Sequence, residues 1–207
     1  MAKEKSSTQQ RGAARKQPTR ERLLDTAGEL LAEVGMERIS TNMICERAGV
    51  TPPALYYYFS DKYDVAAALG ERLMERQNVV LFDWLERHAG GGMEVYAEHI
   101  GDLLRETAAI TRNEPGGIWV ERALHSTPRL GHVRVASHRY VTDRLTEAYA
   151  PLLPHRPRAL VWRRVRMMVE FGYSAIEMLH TESGMSEDAI LAETAQMLKL
   201  ATFDLMA

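Results

Sequence analysis

Cysteine is nearly absent: Cys45 is the single one in 207 residues. One thiol rules out an internal disulfide and fits a reducing compartment, so a cytoplasmic location is expected. Long apolar runs are missing too. No stretch reaches the ~18 apolar residues of a membrane span. The first residues lack the ~7–15-residue apolar core of a secretory signal. No membrane partner is expected. Alternating apolar–polar segments of useful length are also lacking, which argues against strands. There is no internal repeat, no Gly-rich phosphate loop and no nucleophile motif around any serine. An enzyme is therefore not expected, and no catalytic residue is assigned. The seven histidines lack the close spacing of a structural zinc site. Glu121 and His125 stand four apart, but two such residues are common by chance, so neither metal nor cofactor is assigned. A large charge excess is missing as well. The net charge of −2 excludes a uniformly basic nucleic-acid coat.

What charge there is lies unevenly. Lys3, Lys5, Arg11, Arg15, Lys16 and Arg20 face one acid, Glu4, in the first 20 residues. Residues 1–18 are rich in Ser, Gln and Ala without apolar period. They read as a disordered basic tail, attracted to phosphate or simply solubilising.

The most informative stretch is Ile39–Tyr63, ISTNMICERAGVTPPALYYYFSDKY. Ser40 or Thr41 caps a first short helix carrying Ile44, Cys45 and Ala48 on one face. Gly49 supplies the left-handed residue that ends it. Thr51 caps a second helix, with Pro52 at its first position and Pro53 still in the first turn. Leu55 and Phe59, four apart, face inward; Tyr56 and Tyr57 face the other way. Ser60 or Asp61 opens the next helix, with Lys62 in its first turn. Helix, glycine-containing turn and helix make a helix-turn-helix pattern.

These residues resemble the DNA-binding domain of the TetR family of transcriptional regulators. The resemblance runs from about Thr19 to Ala66. TRERLLDTAGELLAEVG is similar to that family's first helix with its closing Gly. ISTNMICERAGVTPPALYYYFSDK is similar to its helix-turn-helix, with the Leu-Tyr-x-x-Phe core and the Lys that opens the fourth helix. Cys45, Asn42 and Tyr63-Asp64-Val65 depart from the family's commoner residues. The resemblance implies a homodimer that presents two such units to a roughly palindromic double-stranded operator. Half-sites about 34–36 Å apart, or at a related spacing, are expected. Thr41, Tyr56, Tyr57 and Lys62 are expected on phosphate, and Asn42, Thr51, Pro52 and Pro53 toward base edges or thymine methyls.

The remainder reads as helix throughout. The fold class expected is all-α: a three-helix helix-turn-helix domain over 19–66 and a larger helical ligand-binding and dimerisation domain over 67–207. Val65 to Trp84 mark a long fourth helix fraying at Gly90–Gly92, and Met93 to Ile110 mark a fifth. Pro115 begins a short helix with Trp119. Thr127-Pro128 opens another, which runs to Tyr149. The last two helices, near 158–180 and 186–206, are apolar over so wide an arc that each needs two buried sides. The second side is assigned to a partner subunit, in a symmetric four-helix interface.

A small-molecule effector is expected among the helices of the second domain. Trp119, Arg122, His125, Arg139, Tyr140, Phe171 and Tyr173 are the candidate wall, a mostly apolar set with orienting cations. The functional expectation is a one-component repressor released by a small, mostly apolar ligand. The alternative is an all-α small-molecule binding protein or enzyme that uses the cavity without DNA.

Overall fold

In the computed structural model, residues 19–207 are described with their side chains; the basic tail assigned to 1–18 lies outside the described residues. Helices dominate, and no strand occurs among the described residues. They are α1 (Ala2–Arg38, described from Thr19), α2 (Thr41–Ala48), α3 (Pro52–Tyr56), α4 (Lys62–His88), α5 (Gly92–Glu98), α6 (Ile100–Asn113), α7 (Gly117–Ser126), α8 (Gly131–Tyr149), α9 (Arg158–Met178) and α10 (Glu187–Met206). Short 3-10 turns at Pro128–Leu130 and Ala150–Leu152 flank α8.

The chain divides into two compact units. The first is Met1–Gly70 with Pro115–Leu130, so it takes in α7 as well as the N-terminal helices. That differs from a boundary at 66/67. Glycine explains why α7 joins it. A Cβ on Gly28 of α1 would stand 2.2 Å from the Pro115 carbonyl oxygen, and one on Gly116 2.0 Å from the Gly28 carbonyl oxygen. Two backbones meet there, and Gly116 sits at φ 66° besides, so both positions require glycine. Further along, Leu124 of α7 packs where a Cβ on Gly70 would come within 2.7 Å of it. Beneath these contacts the apolar face of α1 is buried: Leu23, Leu24 and Ala27 have no exposed surface, and Leu30 and Leu31 almost none.

The second unit is Glu71–Glu114 with Gly131–Ala207. Its core has an aromatic centre. Trp84 and Tyr149 are fully buried, and Tyr96 joins them with ring centroids 5.2 Å from each. Helices α8 and α9 pack as a hairpin, and α10 lies on α5, α6 and α9. The apolar spacing of Met93–Ile110 predicts one helix there, but the structure has two. His99 (φ −99°, ψ 8°) separates α5 from α6. Its carbonyl oxygen accepts the Trp84 indole N–H at 2.9 Å. Satisfying the buried indole fixes the backbone at this position, and helical periodicity gives way to it.

A second buried polar junction joins α4 to the end of α6. The Glu114 carboxylate has no exposed side-chain surface. Arg72 reaches it at 2.7 Å as an ion pair, and Arg76 pairs with its other oxygen. Next to it, Gln77 donates to the Thr111 hydroxyl at 2.9 Å. Removing one partner of such a cluster strands a buried charge. Glu114→Ala is expected to cost about 3–5 kcal/mol, read as a lower urea midpoint. A loss under about 1 kcal/mol would mean that the surface pairing of Arg76 governs the site.

Candidate nucleic-acid interface and buried cavity

The helix-turn-helix is built from local chemistry. Ser40, in extended backbone, is the N-cap of α2, and its hydroxyl accepts the Met43 N–H at 3.3 Å. Gly49 ends α2 in the left-handed conformation (φ 62°, ψ 40°). Ile44, Cys45 and Ala48 are buried. Thr51 holds the N-cap position of α3 but makes no side-chain cap. Pro52 and Pro53 bring no N–H, and the Ala54 N–H is taken by the Thr51 carbonyl at 2.9 Å. That leaves the Thr51 hydroxyl exposed without an intrahelical duty. Leu55 and Phe59 are buried, with Arg20 of α1 over the Phe59 ring at 5.6 Å.

The residues assigned to DNA fall on the outer side of this corner. Asn42, Thr51, Pro52, Pro53, Tyr56 and Tyr57 are exposed, and Thr41 and Lys62 half-buried. The Thr41 and Tyr56 hydroxyls meet at 3.1 Å, tying α2 to α3. Lys62 has a structural tie as well. Its ammonium donates to the Met36 and Glu37 carbonyls at 2.9 and 3.0 Å, past the Gly35 break near the end of α1 (φ 75°, ψ 168°). A cation at that end also meets the negative pole of the helix.

The start of α4 is pinned from two sides. Asp61 accepts the Tyr63 and Asp64 N–H groups at 2.8 and 2.9 Å, while Asp64 accepts the Ser60 N–H at 2.8 Å. Arg129, from the turn after α7, reaches Asp61 at 3.0 Å and lies over the Tyr63 ring at 4.3 Å. The Asp64 N–H foremost, then the Arg129 guanidinium, hold the Asp61 carboxyl below its ordinary range. Sequence reading does not assign Arg129; its partner is 68 residues away.

The second unit contains an apolar cavity of about 70 Å³. Leu81, Leu104, Val141, Val169 and Met168 form much of its wall; Gln77, Thr107, Tyr149 and Tyr173 bring its polar side chains. Of the seven candidate ligand residues, Tyr173 lines it. Trp119, Arg122 and His125 belong to α7 in the first unit, with Arg122 over the Trp119 ring at 4.8 Å. Arg139, Tyr140 and Phe171 are exposed on α8 and α9. The edge of Tyr140 meets Phe82, with centroids 6.0 Å apart. The lining that sequence reading missed has one visible signal. Gln77 and Thr107 are polar residues on otherwise apolar helix faces.

Behind Tyr173 stands a buried histidine. His138 is 1% exposed, and its ring stacks on Tyr173 with centroids 4.0 Å apart. Its Nδ1 lies 3.0 Å from Glu170, which also pairs with Arg134 at 3.2 Å and with Arg166. Burial drives the His138 pKa down to about 4 against the pull of Glu170, so the ring is neutral near pH 7.

The geometry agrees with three comparisons. The family model described as "Bacterial regulatory proteins, tetR family" matches residues 23–69. The chain is similar to the class C tetracycline repressor protein of Escherichia coli, 46% identical over 55 residues, 27% of this chain and 25% of that one. It is also similar to the HTH-type transcriptional regulator AcrR of Shigella flexneri, 26% identical over 119 residues, 58% and 54% of the two chains. The matches thus span between a quarter and about half of these curated relatives. Among solved structures, a TetR-family transcriptional regulator from Streptomyces coelicolor superposes with a TM-score of 0.65 at 24% identity, covering 90% of this chain and 99% of that one. A transcriptional regulator from Aquifex aeolicus gives 0.63 at 18%, covering 88% and 98%. At such identities the structures establish the fold: an N-terminal helix-turn-helix and a larger C-terminal helical part. Among the described residues, no helix is long and apolar enough to cross a membrane, and no group of three or more metal-ligating side chains occurs.

The buried histidine has a measurable consequence. Its folded pKa, about 4, lies below the ordinary histidine value of 6.5. Between these values the unfolded chain binds more protons, so stability falls as pH drops through that window. From pH 7 to 5 this one group removes about 2 kcal/mol. His138→Gln should flatten that part of the pH–stability curve. An equally steep curve in the variant would assign the acid sensitivity elsewhere.

Proposed function

We propose that the chain, which is similar to TetR-family regulators in its N-terminal helices and overall fold, regulates transcription by binding DNA and is a one-component repressor. It binds a palindromic operator as a homodimer and is released by a small, mostly apolar ligand. The observation that carries the DNA half is the two-helix corner. Its inner residues are buried, while Asn42, Thr51, Pro52, Pro53, Tyr56 and Tyr57 stand exposed in one cluster. In this reading Asn42, Thr51 and the two prolines approach base edges, where short polar and apolar groups discriminate. Thr41, Tyr56, Tyr57 and Lys62 hold the backbone.

An exposed apolar face supports the dimer. On α9, Met167, Phe171 and Met178 are 69, 41 and 40% exposed; on α10, Met197 and Leu200 are 54 and 57% exposed. Arg164 of α9 and Asp204 of α10 pair at 2.8 Å beside this face, so the two helices present it together. Large aliphatic and aromatic groups contiguous across two helices call for cover. A second copy, related by a twofold axis, covers like with like in a four-helix contact. Ala175 lies in the protomer's own core, at 3% exposed, and not on this face.

Control follows from two-state logic. A ligand moves the equilibrium only if it binds one state better. The cavity of the second unit is the proposed ligand site, and α4 belongs to both units in sequence, with Lys62 in one and Gln77 in the other.

Fluorescence anisotropy with DNA from the flanks of the gene tests the operator. Tyr56→Phe removes the bond to Thr41 and a phosphate donor. Affinity should fall several-fold while stability changes by no more than ~1 kcal/mol. Lys62→Ala should lower affinity for all sequences and reduce the log–log salt slope by about one. It should also lower the melting temperature, since two carbonyls lose their donor. An unchanged salt slope together with the melting loss would make Lys62 a structural tie alone.

Sedimentation tests the dimer. Phe171→Glu and Leu200→Glu should each shift the protein toward monomer and weaken operator binding steeply, with helicity retained because both sites are exposed in the protomer. A wild type that sediments as monomer at micromolar concentration would refute the interface.

A further inference from the structure

The cavity in the second unit has a chemical signature. Its lining contains no Asp, Glu, Lys, Arg or His. The ionic cluster on α8 and α9 is matched internally: Glu170 takes Arg134, Arg166 and His138, and none of these four lines the cavity. An ionised ligand would lose its hydration and gain no counter-charge there. One group in the wall asks for a partner. Tyr149 is 1% exposed and lines the cavity, and its hydroxyl makes no hydrogen bond to any described residue. Burial, with Tyr96 adding to it, pushes that phenol far above its ordinary range, so it is a neutral O–H donor at any physiological pH. Phenol hydroxyls in folded proteins are nearly always hydrogen-bonded, and Tyr149 lines space that a ligand can fill.

We propose that this cavity takes a compact, uncharged, mostly apolar molecule that offers one acceptor oxygen, such as a carbonyl, to the Tyr149 hydroxyl. This specifies the effector in the regulator reading above and rests on that reading for its consequence, though not for binding itself. At about 70 Å³ the cavity favours one ring or a short chain over a multi-ring molecule. Met168, a flexible partly buried wall residue, is the side chain best able to adapt to different shapes. The arrangement selects by desolvation. A neutral ketone loses little on entry, whereas the carboxylate of the same skeleton loses its full hydration shell.

The test uses three probes of one size: acetophenone, ethylbenzene and benzoate, titrated calorimetrically into the full-length protein at pH 7.5. Acetophenone is expected to bind at least tenfold more tightly than benzoate. Tyr149→Phe should weaken acetophenone about five- to tenfold and leave ethylbenzene unchanged, which separates the hydrogen bond from damage to the cavity. Met168→Trp should remove binding of both neutral probes, placing them in this cavity and not on the surface. Benzoate binding as tightly as acetophenone overturns the inference. So does an acetophenone affinity indifferent to Tyr149→Phe, since a water molecule then satisfies the hydroxyl. Failure of acetophenone and ethylbenzene alike to bind overturns it too. Operator titrations on the same preparations keep the two ideas apart. Loss of DNA binding with ketone binding intact counts against the regulator reading alone; the reverse counts against the cavity assignment alone.

Discussion

A helix of five residues cannot hold itself together in water, and α3 is such a helix. Helix nucleation fixes several residues for each bond gained, so a single turn exists only where packing compels it. Here Leu55 and Phe59 supply that packing from below, against a first helix whose Leu23, Leu24 and Ala27 are wholly buried. The two prolines remove donors that would otherwise need partners and preset the backbone of the first turn. What stands outward is therefore held rigidly by what points inward. The Thr41–Tyr56 bond, the Lys62 tie to the end of α1 and the Asp61–Arg129 latch extend the same constraint to the neighbouring helices. Side chains held in fixed positions lose less conformational freedom on contact with a partner, and so cost less affinity to order.

The second unit solves another problem. It keeps an apolar cavity open among packed helices. Its stiffness comes from groups that apolar packing alone would not fix: the Trp84 indole bonded to the His99 carbonyl, the Glu114 carboxylate between two arginines, and the buried His138 against Glu170. Each of these has few alternative partners, so each selects one arrangement of the surrounding helices. Against that frame the cavity is lined by aliphatic side chains with isolated hydroxyl and amide groups. Such a wall discriminates mainly through charge and through a hydrogen bond left to be made.

Much of the first unit was legible in the chain itself, because its signals are local. Ser40, Gly49, Pro52 and the Leu55/Phe59 spacing act within a turn or two of where they stand, and the structure places them as caps, stops and inward faces. One local reading needed change: Thr51 holds the cap position, but its side chain does not cap, since the prolines leave it little to bond. Lys62 shows the limit of local reading. Its sequence position indicates a helix start facing solvent, while its partners are backbone carbonyls some 25 residues earlier.

The sequence by itself determined the all-α class, the helix-turn-helix and the wide apolar arcs of the last two helices. Each follows from periodicity and capping, which depend on near neighbours. Only the tertiary structure decided that α7 packs with the N-terminal helices through the Gly28–Gly116 seam. It also decided that the Met93–Ile110 periodicity breaks at His99, and which side chains face the cavity. Trp119, Arg139 and Phe171 are as large and polarisable as Tyr173, yet Tyr173 is the one that lines the cavity. A cavity is the space left between helices. Its walls are set by crossing angles and by contacts across 70 or more residues, such as Gln77 with Tyr149 and Tyr173 in one lining. No window of sequence contains that information.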